Sequence, residues 1–537
     1  MGDFTRRSSA LSRRAFLALA GGAALASTGR WQVSAAEDDA PLTAETTYGR
    51  VRGATVNRVA MFRGIPYGGP TEGAARFLPP TKPEKWCGVR DATVNGPQCV
   101  QGPGNIFLNP PLGGYFSGGR RDRLELATSP YSENCLVLNV LTTGLRGKRP
   151  VMVYIHGGGY ASESGVLSLF GDRHVREQGV VLVGINHRLN VFGYSYLGGL
   201  SDKYAVGNAG QLDLIAALEW VRDNITNFGG DPGNVTVLGE SGGGGKISAL
   251  MGMPAAKGLF HKAIVESGSL LHIGDPESAT RAARAMMAKL RLTRVGDLQK
   301  VAAADLFDAG GTNPLEPGPV VDGHSIPRQP WEPVAPAVSA DISMIIGNCK
   351  DETTLFSLKN QALFHLDERE LRVALVNAGV PAEKVDSLLA LYHRDHPKDT
   401  PSDLYFRIAS DRGMRQHVAQ QAELQLAQGK AKVFVYYFQW STPVLGGELR
   451  AFHTAELPLV MRLAFYPESE QLSRQLSAAW AVFARKGDPS QQGLEWPAYT
   501  TSQRATMVFD AGKSEAVNDP DHDERLMLEK MPSGGLL

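Results

Sequence analysis

The chain has 537 residues, 43% of them hydrophobic and 20% charged, an ordinary globular composition with enough apolar material for a large core. Lysine plus arginine number 55, as do aspartate plus glutamate, so the formal net charge is zero. No global field points to nucleic acid or to an anionic membrane, which leaves a small molecule as the expected partner.

At the N-terminus, Ser12-Arg13-Arg14-Ala15-Phe16-Leu17 opens an apolar run from Phe16 to Ala26, too short to span a bilayer. The small residues Val33-Ser34-Ala35-Ala36 follow, as a signal peptidase requires. Residues 1–36 are expected to be a cleaved export signal of twin-arginine type, delivering the mature protein to the periplasm or the exterior. The first cysteine is Cys87, so no lipid-bearing cysteine follows the cut and no stable membrane anchor is expected. Cys87, Cys99, Cys135 and Cys349 form no CxxC pair, and nothing supports a zinc or iron–sulfur site. Cys87 and Cys349 read as free, buried thiols.

Residues 37–537 read as one domain. The segment Gln101 to Arg121, rich in Gly, Pro and Asn, reads as a long surface loop. Short apolar runs then alternate with helical patterns, which argues for an α/β fold with a mostly parallel central sheet and helices on both faces. Val151 to Ile155 is a buried strand ending at His156-Gly157-Gly158-Gly159, and Val180 to Ile185 is another. Between Asp213 and Val221 the residues Leu214, Ala217, Leu218 and Val221 recur with helical spacing. Val235 to Leu238 runs directly into Gly239-Glu240-Ser241-Gly242-Gly243, after which Lys246 to Leu250 begin a helix. Ala263 to Val265 and Ile342 to Ile346 follow as strands, and Val433 to Phe438 reads as the last strong one. Ligand sites in such sheets lie beyond the C-terminal strand ends, where the residues singled out below all fall.

Gly239 to Gly243 matches G-x-S-x-G, the tight strand-to-helix turn that lifts a serine hydroxyl above an α/β-hydrolase sheet. The turn crowds the backbone on both sides of Ser241, which is why glycine flanks it. The upstream glycine run supplies what such a serine needs, backbone N–H groups converging on a developing oxyanion. Gly158 and Gly159 are assigned as donors, with Gly242 as the third, and His156 as an orienting residue. In this fold the acid and then the histidine follow the serine along the chain. That order removes six of the 12 histidines and leaves His365, His393, His396, His417, His453 and His522. His453 stands on a loop just after the strand Val433 to Phe438. His393 and His396 fall in a solvated polar stretch, His417 in a helical pattern and His522 in an acidic tail. For the acid, Asp351 and Glu352 after Ile342 to Ile346 are both candidates, and Asp322 is a third; spacing does not separate them.

These features accompany further motifs: Phe62-Arg63-Gly64-Ile65-Pro66-Tyr67, Ser132-Glu133-Asn134-Cys135-Leu136, Asn186-His187-Arg188-Leu189, Phe228-Gly229-Gly230-Asp231-Pro232, Ser267-Gly268-Ser269 and Ala451-Phe452-His453. Together they resemble the type-B carboxylesterase family, which includes cholinesterases and bacterial p-nitrobenzyl esterases, across nearly the whole mature chain. The resemblance implies an α/β-hydrolase fold, hydrolysis of small-molecule carboxylic esters, no metal and no cofactor. It selects Glu352 as the acid, because the family's acid is the Glu of a D-E-G stretch that matches Asp351-Glu352-Thr353. It implies a disulfide between Cys99 and Cys135. Three departures stand out: Gly242 where Ala is usual, Thr353 for Gly, and Asn134 for Asp. No Trp lies between Cys99 and Cys135, where cholinesterases carry one for a quaternary ammonium, which argues against a choline ester. The same triad could serve carbamates and amides, and non-catalytic members of the family lack triad residues that are present here.

Overall fold

Alternate residues of the central strands enter two different cores, and this places the sheet in the middle of the protein. Val151, Val153 and Ile155 join one core, with Leu214, Leu218, Ile247 and Leu250. Met152 and Tyr154 join the other, with Leu476, Trp480 and Phe483. A strand whose successive side chains alternate faces reads as an uninterrupted apolar run only when both faces are covered, as here. The helices Ala209–Asn224 and Gly242–Leu250 cover the first face and the helix Glu470–Lys486 the second. The computed structural model describes residues 42–102, 112–120, 128–310, 317–532 and 534. From Leu42 onward the chain forms one compact unit, and the proposed export signal lies outside the described residues.

The strands are β1 (Thr43–Thr46), β2 (Gly49–Arg52), β3 (Ala54–Val56), β4 (Val59–Pro66), β5 (Val89–Asp91), β6 (Val137–Thr142), β7 (Arg149–Ile155), β8 (Val181–Ile185), β9 (Gly230–Glu240), β10 (Lys262–Glu266), β11 (Ser343–Cys349), β12 (Val433–Phe438), β13 (Ala505–Phe509) and β14 (Glu515–Asn518). β1, β2 and β5 make a small sheet, and the rest form an 11-stranded sheet in the order β14-β13-β12-β11-β10-β9-β7-β8-β6-β4-β3. The stretch from β13 through β8 is parallel, and antiparallel strands finish both edges. This is the α/β-hydrolase fold. In register, Glu240 of β9 pairs with Glu266 of β10, which pairs with Gly347 of β11, so the residues that follow these strands emerge together.

Several expectations need correction. β12 is not the last core strand: β13 pairs with it in parallel, Val435 opposite Thr506 and Phe438 opposite Phe509. Part of the segment read as surface loop, Gly113–Ser117, is a helix with Tyr115 buried and its hydroxyl donating to Ala455 O at 2.6 Å; residues 103–111 lie outside the description. No disulfide joins Cys99 to Cys135. Both are buried free cysteines. Backbone bonds hold the two segments together instead, Gln98 N to Pro130 O and Ser132 N to Gln98 O, each 2.9 Å. Cys87 is exposed rather than buried. Among the described residues no helix is long and apolar enough to cross a membrane.

Candidate active site

Ser241 sits between β9 and the helix Gly242–Leu250 with φ 56° and ψ −125°, a conformation costly for a residue with a side chain. Its N–H donates to Glu266 O at 2.8 Å, and its carbonyl accepts from Gly245 N at 3.0 Å. The flanking glycines are required by space. A Cβ on Gly239 would meet the carbonyl carbon of Gly243 at 2.6 Å, and one on Gly243 would meet Ile155 O at 2.1 Å.

Opposite the turn stands the loop after β7. A Cβ on Gly242 would lie 2.2 Å from Gly159 O and 2.5 Å from its Cα, so these two backbones touch. The methyl of the family's usual alanine has no room here, which accounts for Gly242. Gly158 and Gly159 both adopt positive φ, 69° and 59°. The Gly158 carbonyl closes the loop by accepting from Ala161 N and Ser162 N. His156 and His187 are buried, with rings 4.6 Å apart, and burial holds both well below the usual histidine range, as neutral imidazoles.

His453 follows β12, and its Nδ1 meets Glu352 Oε2. Glu352 is fully buried, and its other oxygen accepts from the Ser267 hydroxyl at 2.6 Å and from Cys349 N at 2.7 Å. That set of donors orients the carboxylate. Asp351 does different work. It is joined to the 451–452 backbone through Asp351 N to Ala451 O at 2.9 Å and Ala451 N to Asp351 Oδ2 at 3.2 Å, which brings Glu352 and His453 side by side. Asp322 organises a remote turn by accepting from Gly207 N, Ile326 N and the Ser325 hydroxyl. Of the downstream histidines, His453 is the one that meets Glu352. His396 is ion-paired with buried Glu524 at 2.7 Å rather than freely solvated.

The departures at 353 and 134 are explained by their contacts. Thr353 begins the short helix Thr353–Phe356, where glycine is not needed, and its N–H donates to Ser410 Oγ at 3.2 Å. Asn134 Oδ1 accepts from Thr71 N at 2.8 Å, a role that needs an oxygen but no charge.

Sequence reasoning passed over Glu240. Its Oε1 lies 3.3 Å from His453 Nε2, the ring nitrogen that has no hydrogen-bond partner among the described residues. Burial, reinforced by Glu456, Glu163, Glu352 and Glu266, pushes Glu240 well above the usual carboxylate range, which favours the protonated acid. Glu456 is raised for the same first reason and accepts from Tyr436 Oη and Cys349 Sγ, each at 2.9 Å. Ser267 was visible only as part of a motif. The arrangement sets an imidazole, tied to a carboxylate, beside a strained serine turn that faces a glycine loop.

The sequence pattern described as "Carboxylesterase family" matches residues 40–526. The para-nitrobenzyl esterase of Bacillus subtilis (strain 168) is 34% identical over 512 residues, covering 91% of this chain and 98% of that protein. The cocaine esterase of Homo sapiens is 32% identical over 486 residues, covering 84% of each. A solved PNB esterase superposes with a TM-score of 0.74 at 33% identity, covering 90% of this chain and 99% of the other. A carboxylesterase of Geobacillus stearothermophilus gives 0.76 at 34% identity, covering 91% and 100%.

Proposed function

Because this chain belongs to the carboxylesterase family and is a serine hydrolase of carboxylic esters, we propose that its chemistry runs through Ser241, His453 and Glu352 and an acyl-enzyme intermediate. Ser241 Oγ attacks the ester carbonyl carbon and its proton passes to His453 Nε2. The carbonyl oxygen becomes an oxyanion that takes hydrogen bonds from the N–H groups of Gly158, Gly159 and Gly242. As the carbon–oxygen bond to the alcohol breaks, His453 returns the proton to the departing oxygen. Water, deprotonated by the same imidazole, then releases the acid and restores Ser241. Glu352 holds the imidazole in the tautomer that leaves Nε2 free to accept and stabilises it once protonated. Neutral Glu240 spares this site a second negative charge beside the oxyanion.

The observation that carries this reading is the His453 ring, held at Nδ1 by a buried, fully hydrogen-bonded Glu352, with Nε2 free of any hydrogen bond among the described residues and 3.3 Å from Oε1 of Glu240, the chain neighbour of Ser241. Replacing Ser241 by alanine is expected to abolish hydrolysis of p-nitrophenyl acetate and labelling by a fluorophosphonate, with folding unchanged. Retained labelling at another residue would sink the assignment.

The relative named para-nitrobenzyl esterase makes p-nitrobenzyl esters the first substrates to test on this chain. A second part of the reading is that residues 1–36 direct export, supported by Arg13-Arg14 before an apolar run and by Ala35-Ala36. The test is the mature N-terminus, expected at Glu37. An uncut chain that stays in the cytoplasm would refute export.

A further inference from the structure

Lys246 lies in the helix Gly242–Leu250 that follows Ser241, and its side chain is completely buried. Burying an ammonium is costly unless polar groups replace its water. Here its Nζ donates to His156 O at 2.9 Å and to Gly157 O at 3.2 Å, and stands 5.8 Å from the Tyr160 ring centroid. All of these partners lie on the glycine loop. Two acids face the same loop: a Cβ on Gly157 would sit 3.2 Å from Glu240 Oε2 and 3.4 Å from Glu163 Oε2. Glu163 is itself held at φ 75°, a left-handed conformation rare for glutamate. Gln101 clamps its backbone, accepting from Glu163 N at 2.7 Å and donating to Glu163 O at 3.0 Å.

Gly157 O belongs to the same peptide unit as the Gly158 N–H. In a trans peptide the two point in opposite directions. An ammonium that fixes the carbonyl on one side therefore fixes the N–H on the other, and its charge polarises the amide into a stronger donor. We propose that Lys246 is a positioning residue for the oxyanion site, aiming and polarising the Gly158 N–H through the Gly157 carbonyl, with Glu163 as its counter-charge. This rests on the oxyanion role proposed above for Gly158. Burial draws Lys246 down from the usual lysine range, while Glu163 opposes the fall. The neutral histidines His156 and His187 and the Tyr160 ring are also among its titratable neighbours.

The test is Lys246→Met, which keeps the volume and removes the charge. Its kcat for p-nitrophenyl acetate should fall on the order of 10- to 100-fold with KM within about twofold, since one misaligned donor weakens the transition state and not substrate binding. A trifluoromethyl ketone, which forms a tetrahedral adduct on Ser241, should lose affinity by the same factor as kcat/KM. Unchanged kcat and ketone affinity would overturn the proposal while wild-type labelling at Ser241 still upheld the triad. Loss of that labelling in the wild type would instead condemn the triad. Glu163→Gln covers a misfolded Lys246→Met: without the facing carboxylate, Lys246 gives up its proton sooner, and the alkaline fall in kcat should begin at lower pH. A pH profile identical to wild type would overturn the proposal.

Discussion

Glu352 gives one carboxylate oxygen to His453 Nδ1 and the other to Ser267 Oγ and Cys349 N, so its orientation does not depend on the histidine it serves. Glu352→Gln keeps the shape but presents an amide whose NH₂, facing Nδ1, favours the wrong imidazole tautomer. The expected cost in kcat is roughly 10³- to 10⁴-fold at neutral pH with KM little changed, by analogy with the acid of serine-protease triads. Steady-state hydrolysis of p-nitrophenyl acetate checks it, and a loss under tenfold would mean that the carboxylate is not what fixes the ring.

Ser241 carries strain that the turn imposes on any residue with a Cβ. Relief of a strained φ/ψ is worth about 1–3 kcal/mol, against about 0.5–1 kcal/mol for the extra chain entropy of glycine. Ser241→Gly should therefore be inactive yet more stable by about 1 kcal/mol, read as a higher urea midpoint. A lower midpoint would show that the hydroxyl's own contacts outweigh the strain.

The parts of this architecture that depend on local periodicity were legible in the sequence. β7, β8, β9, β10, β11 and β12 stand within a few residues of the apolar runs that announced them, and Leu214, Ala217, Leu218 and Val221 are all buried on their helix. β13 was missed because Ala505-Thr506-Met507-Val508-Phe509 is short and mixes a polar residue into its run. The site was legible where a motif fixes the backbone, as at Ser241, or where chain order narrows the choice, as at His453. Glu240, Ser267 and Lys246 gained their meaning only when the sheet register carried the ends of β9, β10 and β11 to one edge. No local pattern distinguishes a buried lysine bound to two carbonyls from a solvated one. The Cys99–Cys135 expectation came from resemblance alone; the structure has both cysteines free, with backbone bonds joining their segments.

His174 links stability to acid. It is buried, its Nδ1 is 2.7 Å from Ser477 Oγ, and burial with help from Arg462 lowers its pKa to about 4. An unfolded histidine titrates near 6.5, so between about pH 6.5 and about pH 4 the unfolded chain binds the extra proton and stability falls as the pH falls. The full effect is about 3 kcal/mol. His174→Gln should flatten the dependence of unfolding free energy on pH across that window by up to about one proton. An unaltered slope in urea titrations between pH 6.5 and pH 4 would remove His174 from the account of acid lability.

Arg188 and Asp213 form an ion pair with almost no exposure, Nη2 to Oδ1 at 2.6 Å and Nε to Oδ2 at 2.8 Å. Arg188 N also donates to Oδ2 at 3.0 Å, and Nη1 reaches Leu78 O at 2.9 Å, so the pair ties the segment after β8 to the helix Ala209–Asn224 and to the N-terminal part of the chain. Removing one partner leaves a buried charge with nothing to balance it, at a cost of about 3–5 kcal/mol. Asp213→Ala should therefore lower the unfolding free energy by about that much, and Arg188→Met alone should do likewise. Combining Arg188→Met with Asp213→Leu removes both charges and fills the space with apolar groups, which is often neutral in such sites. The double variant should accordingly be more stable than either single one, measured as a coupling energy from urea unfolding. If the two losses simply add, the pair is not acting as a unit and the packing around Leu78 carries the effect instead.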